Sequence, residues 1–290
     1  MRFVACLASL LAGVLVATAC ADDALLAPMS LDELRQTRFD VSLSFAGDLE
    51  NEDGYTAYLV SYGHADLTLY AMVAVPVGDR PEGGFPVVIA NHGYVPDPRR
   101  YGMRSDGRNA RPGDYYASVP GLFASRGFLT VIPDYRGHNL SEGFAYIDPQ
   151  DERSAAYYAE DVAALLTALD QLDGADTDNV FMWSHSMGGT VSMRVLLASD
   201  VVKASSFWST MDVSEYTVRF AEIDGPVVVH HGRDDAATAH GNSARLAEGL
   251  DAAGYLEAFL SYSTDEHYFE GDRRERAAMY DAAFFRAQIQ

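Results

Sequence analysis

Cysteine and lysine are almost absent from this sequence, and each shortage excludes a class of function. The 290 residues include two cysteines, Cys6 and Cys20, so a zinc site built from several cysteines is excluded. Cys6 lies in an apolar N-terminal run that we expect to be removed, which leaves no partner for an intrachain disulfide. Lys203 is the only lysine, and the formal net charge of −21 excludes the basic surface that nucleic acids require.

Flexible linkers and internal repeats are also missing. No run of Gly, Ser or Pro is long enough to separate two domains, and no repeat is visible at the periods typical of solenoids or propellers. Because 48% of the residues are hydrophobic, the chain can build a large core. The sequence therefore predicts one globular domain over residues 41–290, preceded by an N-terminal segment of residues 20–40.

The one long apolar run is at the N-terminus. Residues 1–19 combine a basic start, an apolar stretch and small residues before Cys20, which is the pattern of an export signal. Val16–Cys20 reads Val-Ala-Thr-Ala-Cys and resembles the lipobox of bacterial lipoproteins, with Ala17 where leucine is usual. We therefore expect an exported protein. It is either a periplasmic or cell-envelope lipoprotein attached to the membrane through a lipidated Cys20, or a secreted protein, or one that keeps its N-terminal anchor.

The hydrophobic pattern of the rest changes once along the chain. Up to Val75, alternating polar and apolar residues predict an antiparallel meander with one exposed face. From Val87 onward, short continuous apolar runs alternate with helical segments, which is typical of a parallel sheet covered by helices on both faces. The predicted strands are Val41–Phe45, Thr56–Tyr62, Leu67–Val75, Val87–Ala90, Leu129–Ile132, Val180–Trp183, Ala204–Trp208, Val227–His230 and Glu257–Tyr262. The predicted helices are Tyr115–Arg126, Ser154–Leu172, Met187–Ala198, Ser243–Ala253 and Arg273–Arg286, with core-facing side chains at Leu165, Leu166, Leu169, Tyr280, Phe284 and Phe285. The fold class is α/β.

One predicted strand ends at a serine between small residues. Residues 179–189 read Asn-Val-Phe-Met-Trp-Ser-His-Ser-Met-Gly-Gly. A sharp strand-to-helix turn that lifts a serine hydroxyl above the sheet requires small residues two positions before and after it, and Ser184 and Gly188 meet that requirement. Ser186 is therefore the predicted nucleophile, in a Ser-x-Ser-x-Gly rather than a Gly-x-Ser-x-Gly motif. The alternative is an ordinary serine at a helix N-cap.

A serine nucleophile needs a base and an orienting acid from later in the chain. His267 follows the last predicted strand and is the predicted base. The acid is expected after the penultimate strand, where residues 231–235 read His-Gly-Arg-Asp-Asp and two adjacent aspartates, Asp234 and Asp235, qualify. Backbone N–H groups must also hold the oxyanion, and the turn after Ser186 supplies the N–H of Met187.

Residues 231–235 resemble the His-Gly-x-x-Asp motif of prolyl oligopeptidase-type catalytic domains and dienelactone-hydrolase-like esterases. The resemblance implies an α/β-hydrolase fold with Asp235 as the acid and Asp234 as the fallback. Residues 91–94, Asn-His-Gly-Tyr, resemble the oxyanion motif of the same families, which implies the Tyr94 N–H as the second donor and a bracing role for His92. Residues 134–137, Asp-Tyr-Arg-Gly, resemble a segment in which the arginine, here Arg136, organises a loop.

Two long loops should form the walls of the substrate site. Val95–Pro112 and Thr210–Gly225 both follow parallel strands and therefore project at the carboxyl edge of the sheet, where open α/β sheets bind ligands. Trp208 either lines an acyl pocket or packs in the core. The first loop is rich in arginines, which pair with surface carboxylates or hold an anionic or sugar-like part of a substrate: Arg99, Arg100, Arg104, Arg108 and Arg111.

These residues together predict a serine hydrolase that needs no metal and no organic cofactor. Its substrate is a small-molecule ester or a peptide, and a short-acyl carboxylesterase is the first hypothesis. The second is a peptidase of the prolyl oligopeptidase type, although the segment before the fold is too short for the propeller of many such enzymes. A non-catalytic binding protein on the same scaffold is the third.

Overall fold

Nine strands form one sheet in the part of the chain that the computed structural model describes, residues 27–49, 54–100, 116, 118–145 and 152–289. The strands are β1 Ser44–Asp48, β2 Tyr55–His64, β3 Leu67–Pro76, β4 Phe85–Asn91, β5 Leu129–Asp134, β6 Ala175–His185, β7 Val202–Trp208, β8 Val227–Gly232 and β9 Leu256–Tyr262. Their order across the sheet is β1-β2-β3-β5-β4-β6-β7-β8-β9. Strands β1, β2, β3 and β5 pair antiparallel, and the remaining pairs are parallel.

Helices cover both faces of this sheet. They are α1 Leu31–Gln36, α2 Val119–Ala124, α3 Glu152–Leu166, α4 Gly188–Ala198, α5 His240–Ala253 and α6 Gly271–Ala287, with 3₁₀ segments at Pro98–Arg100, Leu169–Gln171 and Ser214–Glu222. Successive strand residues point to opposite faces. Val87 and Ile89 of β4 accordingly pack with α3, α4 and α5, whereas Val88 and Ala90 pack with α2 and α6. Burial on both sides explains why these strands are apolar without alternation.

The predicted α/β class is confirmed, and the element ends shift for local reasons. The helix predicted over Ser154–Leu172 ends at Leu166, where the Thr167 hydroxyl donates to the Ala164 carbonyl and a 3₁₀ turn follows. Tyr280 was predicted to face the core, and this is wrong because its side chain is 39% exposed. Asp281 is fully buried instead, so the inner face of α6 includes a carboxylate that hydrophobic spacing could not reveal.

The N-terminal segment packs against the helices of one face. The Leu34 side chain of α1 is buried, Arg35 donates to the carbonyl of Leu197 in α4, and the Met29 N–H donates to Glu160 in α3 at 2.6 Å. The predicted signal over residues 1–19, Cys20 and loop residues 101–112 lie outside the described residues. Of the helices the structure describes, none has the length and apolar content needed to cross a bilayer.

Candidate active site

Ser186 occupies the sharp turn between β6 and α4. Its φ is +56°, a left-handed conformation that costs a non-glycine residue about 1–3 kcal/mol. The turn is held by the Ser186 N–H, which donates to the Trp208 carbonyl at 3.0 Å, and by the Ser186 carbonyl, which accepts from the Gly189 N–H at 3.0 Å. Ser186 therefore sits where the sequence motif predicted it, above the carboxyl edge of the sheet.

The residues flanking Ser186 have to be small. A Cβ on Gly188 would lie 2.2 Å from the Asn91 carbonyl oxygen, and one on Gly189 would lie 2.0 Å from Oγ1 of Thr210. Ser184 stands where this motif usually has glycine. It is buried, and its hydroxyl donates to the Ser206 carbonyl at 3.3 Å, so the larger side chain is accommodated by a hydrogen bond to β7.

Asp235 and His267 meet beside the turn. Asp235 follows β8, His267 follows β9, and Nδ1 of His267 lies 2.7 Å from Oδ2 of Asp235. The Asp235 side chain is fully buried, while that of His267 is 21% exposed. With Nδ1 engaged by the carboxylate, Nε2 is the ring nitrogen that remains for a serine proton. The adjacent Asp234 is exposed, so of the two aspartates the structure brings only Asp235 to His267.

The Asp235 carboxylate is held in its charged form. Burial by itself would raise the pKa of Asp235, but hydrogen bonds from His231 and His267 outweigh it and place the pKa well below the usual range. Oδ1 also accepts from the N–H groups of Ala237 at 2.8 Å and Thr238 at 3.1 Å. A carboxylate that stays charged beside Nδ1 fixes the imidazole tautomer and stabilises an imidazolium.

Two further residues support the carboxylate. The Thr238 hydroxyl lies 3.0 Å from Oδ2 of Asp235 and 2.9 Å from the Ser209 carbonyl. His231 has Nδ1 2.6 Å from the Ser243 hydroxyl and Nε2 3.3 Å from Oδ2 of Asp235. The sequence motif included His231 but gave it no role, and it gave no sign of Thr238.

The loop after β4 lies against the nucleophile. A Cβ on Gly93 would lie 2.8 Å from Cβ of Ser186, so only glycine allows this approach. Within the described residues, neither the Tyr94 N–H nor the Met187 N–H donates to a protein acceptor, which leaves both to a ligand. His92 braces the loop: its Nδ1 lies 2.8 Å from the Gly93 carbonyl and its ring stacks on Tyr135 at 4.2 Å.

Tyr116 and His185 join this loop to the base, and sequence reasoning missed both. The Gly93 N–H donates to the Tyr116 hydroxyl at 2.8 Å, and that hydroxyl lies 2.7 Å from Nδ1 of His185. Nε2 of His185 lies 2.9 Å from the His267 carbonyl. Burial, followed by the nearby His267, lowers the pKa of His185 well below its ordinary value, so the His185 ring is neutral.

Comparison with known protein families identifies the family of this chain. The sequence profile of the Dienelactone hydrolase family matches residues 114–287, more than half of the chain. The chain belongs to the dienelactone hydrolase family. It has the α/β-hydrolase fold that the motifs implied. A comparison with curated protein sequences found no significant match.

Solved structures of similar fold include both esterases and peptidases. Acetyl xylan esterase 1 from Thermoanaerobacterium sp. JW/SL YS485 is 15% identical, with a TM-score of 0.58 over 87% of this chain and 90% of that one. The acetyl xylan esterase from Paenibacillus sp. R4 is 16% identical, with a TM-score of 0.59 over 89% and 92%. The acylaminoacyl peptidase of Pyrococcus horikoshii is 17% identical, with a TM-score of 0.61, and this chain covers only 42% of it.

In this dienelactone hydrolase family protein, Arg136 organises a loop at the carboxyl edge of the sheet. Its backbone N–H and guanidinium donate to the Asp161 carboxylate of α3, with the shortest contact 2.6 Å from Nη2 to Oδ1. Arg99 was predicted to pair with carboxylates or to hold an anionic or sugar-like group. It donates to the carbonyls of Ser141 and Gly143, each at 2.8 Å, and a contact between Arg99 and a substrate group stays a prediction.

Trp208 packs as a core residue. Its side chain is fully buried, the indole N–H donates to Asp281 at 2.8 Å, and the ring contacts Trp183 and Phe269 at centroid distances of 5.3 and 5.2 Å. These contacts favour the core-packing alternative that the sequence left open. A contact between Trp208 and an acyl group stays a prediction.

Most of the second predicted substrate wall packs on two helices of the fold. The 3₁₀ segment Ser214–Glu222 packs on α4 and α5, with Phe220 fully buried and so close to Gly249 that a Cβ there would lie 2.8 Å from its ring. Only the start of this loop stays beside the nucleophile, where the Met211 N–H donates to the Ser186 carbonyl at 3.3 Å. The buried Phe220 side chain holds the segment against these helices.

Proposed function

We propose that this chain is a short-acyl carboxylesterase that works by two-step acyl transfer. The observation that supports it best is the 2.7 Å contact between Asp235 and His267 beside a serine held at φ +56°. Asp235 holds the His267 ring with Nδ1 toward it, so that Nε2 takes the Ser186 proton as the hydroxyl oxygen attacks the ester carbonyl carbon.

The developing negative charge needs fixed donors. The N–H groups of Tyr94 and Met187 hold the carbonyl oxygen as it becomes an oxyanion, and the N-terminus of α4 adds its partial positive charge. The His267 imidazolium then returns its proton to the leaving alcohol, which leaves an acyl group on Ser186. Water, deprotonated by His267, attacks this acyl-enzyme through a second oxyanion and releases the acid.

Two observations favour a short acyl group on an ester over the other candidates. The acetyl xylan esterases resemble this chain across nearly their whole length. The Ser214–Glu222 segment, which follows β7, packs on α4 and α5 and so supplies no apolar cover for a long chain. A peptidase is the second candidate because acylaminoacyl peptidase shares the fold.

The first experiment asks whether Ser186 is the nucleophile. Purified Ser186→Ala should lose labelling by a fluorophosphonate probe, and its kcat on p-nitrophenyl acetate should fall by about 10⁶-fold, as in other serine hydrolases. Ser184→Ala is the matched control, since it removes the other serine hydroxyl of the motif, and it should still be labelled. Undiminished hydrolysis by Ser186→Ala contradicts the assignment, and a wild type that neither reacts with the probe nor hydrolyses esters supports the non-catalytic hypothesis.

The second experiment asks which bond is cut and how large the acyl group is. We expect kcat/KM to be highest for acetate in a p-nitrophenyl series from acetate to palmitate, because each methylene contributes about 0.8 kcal/mol only where an apolar wall receives it. Aryl acetates should also be hydrolysed faster than aminoacyl and prolyl amides. A maximum at palmitate shows that another element supplies an apolar wall, and a preference for the amides identifies a peptidase.

A further inference from the structure

A chain of three hydrogen bonds runs behind the nucleophile. It starts at the Gly93 N–H of the loop after β4, passes through the Tyr116 hydroxyl at 2.8 Å and on to Nδ1 of His185 at 2.7 Å, and ends at 2.9 Å between Nε2 of His185 and the His267 carbonyl. His185 directly precedes Ser186. The chain thus joins the oxyanion loop, the nucleophile turn and the backbone of the base.

Only one set of donors and acceptors satisfies this chain with a neutral histidine. The His267 carbonyl can only accept, so Nε2 of His185 carries the proton and donates. Nδ1 then accepts from the Tyr116 hydroxyl, whose oxygen in turn accepts from the Gly93 N–H. The rings of His185 and His267 lie 4.6 Å apart, and a neutral His185 does not repel the imidazolium that forms on His267 during catalysis.

The two peptide groups on either side of Gly93 are both held, the preceding one at the Gly93 N–H and the Gly93–Tyr94 peptide at the Gly93 carbonyl. Tyr116 holds the Gly93 N–H, and Nδ1 of His92 holds the Gly93 carbonyl at 2.8 Å. In a trans peptide the N–H points opposite to the carbonyl, so the direction of the Tyr94 N–H follows from the direction of the Gly93 carbonyl. A Cβ at position 93 would lie 2.4 Å from the Tyr116 hydroxyl, which shows how closely the loop sits on that side chain.

We propose that Tyr116 and His185 are positioning residues that hold the oxyanion loop and the general base in one fixed arrangement around Ser186. The proposal rests on the proposed function, since it assigns the Tyr94 N–H to the oxyanion and His267 to proton transfer. Neither Tyr116 nor His185 exchanges a proton with the substrate. Their contribution is to keep the oxyanion donor and the base in place while charge develops.

Tyr116→Phe tests the proposal directly, because it removes the central hydroxyl and keeps the ring. Both acyl-transfer steps pass through an oxyanion, so we expect kcat on p-nitrophenyl acetate to fall by about 10-fold to 100-fold with KM nearly unchanged. This is less than the loss from removing an oxyanion donor itself. The Ki of phenylboronic acid, whose tetrahedral adduct with Ser186 places an oxygen in the oxyanion site, should rise by the same factor as kcat falls.

Two substitutions of His185 provide the rescue test. His185→Gln keeps one donor and one acceptor and should retain kcat within about 5-fold, whereas His185→Leu should lose as much as Tyr116→Phe. Because the two residues act as one unit, the double variant Tyr116→Phe with His185→Leu should lose no more than the worse single variant. Should Tyr116→Phe not fold, the His185→Gln and His185→Leu pair decides the question.

Tyr62→Phe is the matched control for loss of a buried hydroxyl. That hydroxyl donates to the Asp161 carbonyl at 3.1 Å and has no contact with the three-bond chain, so a change in Tm without a change in kcat is expected. A folded Tyr116→Phe with wild-type kcat and boronate Ki overturns the proposal, and so does a rise in KM at constant kcat. Failure of the proposed function is recognised separately, because the wild type itself then shows neither probe labelling nor esterase activity.

Discussion

Two of the histidine–aspartate pairs in the described part of the chain have nearly equal geometry but different surroundings. Nδ1 of His267 lies 2.7 Å from Asp235, and Nε2 of His230 lies 2.9 Å from Asp281. Both aspartates are fully buried. The histidines differ, because His267 is partly exposed at the nucleophile turn while His230 is fully buried inside β8.

The second nitrogen of each ring decides what the pair can do. Nδ1 of His230 lies 2.9 Å from the Tyr262 hydroxyl, so both of its ring nitrogens are occupied. Asp281 in turn accepts from the Trp208 indole N–H at 2.8 Å and the Ser206 hydroxyl at 2.9 Å. A satisfied, buried network of this kind stabilises α6 against β7 and β8. In the Asp235 pair, Nε2 of His267 remains for a reacting proton, so we expect this pair to serve chemistry and the other to serve packing.

Replacing each aspartate with asparagine should distinguish the roles of the two pairs, and we expect the largest loss of kcat at Asp235. Asp235→Asn favours the wrong tautomer of His267 and should lower kcat by about 10⁴-fold. Asp234→Asn is the matched control, since Asp234 is adjacent and exposed, and it should change kcat by less than about 3-fold. Steady-state kinetics of both variants decide the matter, and the reverse order of effects means that the motif was aligned one residue off.

Asp235→Asn should also change how the stability of the protein depends on pH. Because the folded-state pKa of Asp235 is depressed, its contribution to stability is fully present above the unfolded-state pKa near 3.9 and is lost as the pH falls below it. Asp235→Asn should therefore show a flatter decline in Tm than the wild type between about pH 4 and pH 2. Parallel declines in the two proteins would contradict the charged, hydrogen-bonded state of Asp235.

Asp281→Asn should act on folding rather than on rate. One amide oxygen cannot accept all three hydrogen bonds that the carboxylate accepts, so either a buried donor loses its acceptor or His230 has to change its tautomer. Breaking a buried pair of this kind costs about 3–5 kcal/mol in the free energy of unfolding. Urea unfolding measures that loss, while kcat at a temperature well below Tm should stay within a few-fold of wild type. A loss of kcat comparable to that of Asp235→Asn would show that both pairs take part in the reaction.

Sequence patterns could reveal one pair and not the other for a physical reason. Asp235 and His267 follow the ends of strands in motifs with a fixed order, so their meeting at the sheet edge could be predicted. Asp281 lies inside α6, where hydrophobic spacing favoured Tyr280, and only packing on Trp208 and His230 explains a buried carboxylate there.

Two other features were not predicted from the sequence. Helix α1 begins with a capping box, in which the Glu33 N–H donates to the Ser30 hydroxyl, and its Ser-x-x-Glu pattern could have been recognised in the sequence. Tyr116 carries no motif, and its role depends on long-range contacts with Gly93 and His185. The strand and helix periods, by contrast, follow from burial alone, which is why the α/β class could be predicted.

The smallest change in stability is expected at Tyr262, whose hydroxyl contacts the histidine of the buried His230–Asp281 pair. Burial, together with the charge of Asp281, raises the pKa of Tyr262 to about 12, so its hydroxyl is protonated at neutral pH and lies 2.9 Å from Nδ1 of His230. Tyr262→Phe removes one hydrogen bond and should lower the free energy of unfolding by about 1 kcal/mol at pH 7, with kcat unchanged.

Because the folded-state pKa of Tyr262 lies above the unfolded value near 10, the contribution of its hydroxyl to stability is fully present below pH 10 and is lost as the pH rises toward 12. Urea unfolding at pH 8 and pH 11 should therefore show a smaller drop for Tyr262→Phe than for wild type. If Tyr262→Phe instead lowered kcat on p-nitrophenyl acetate, the buried pair would have to be coupled to His267, and the division between a catalytic and a structural pair would fail.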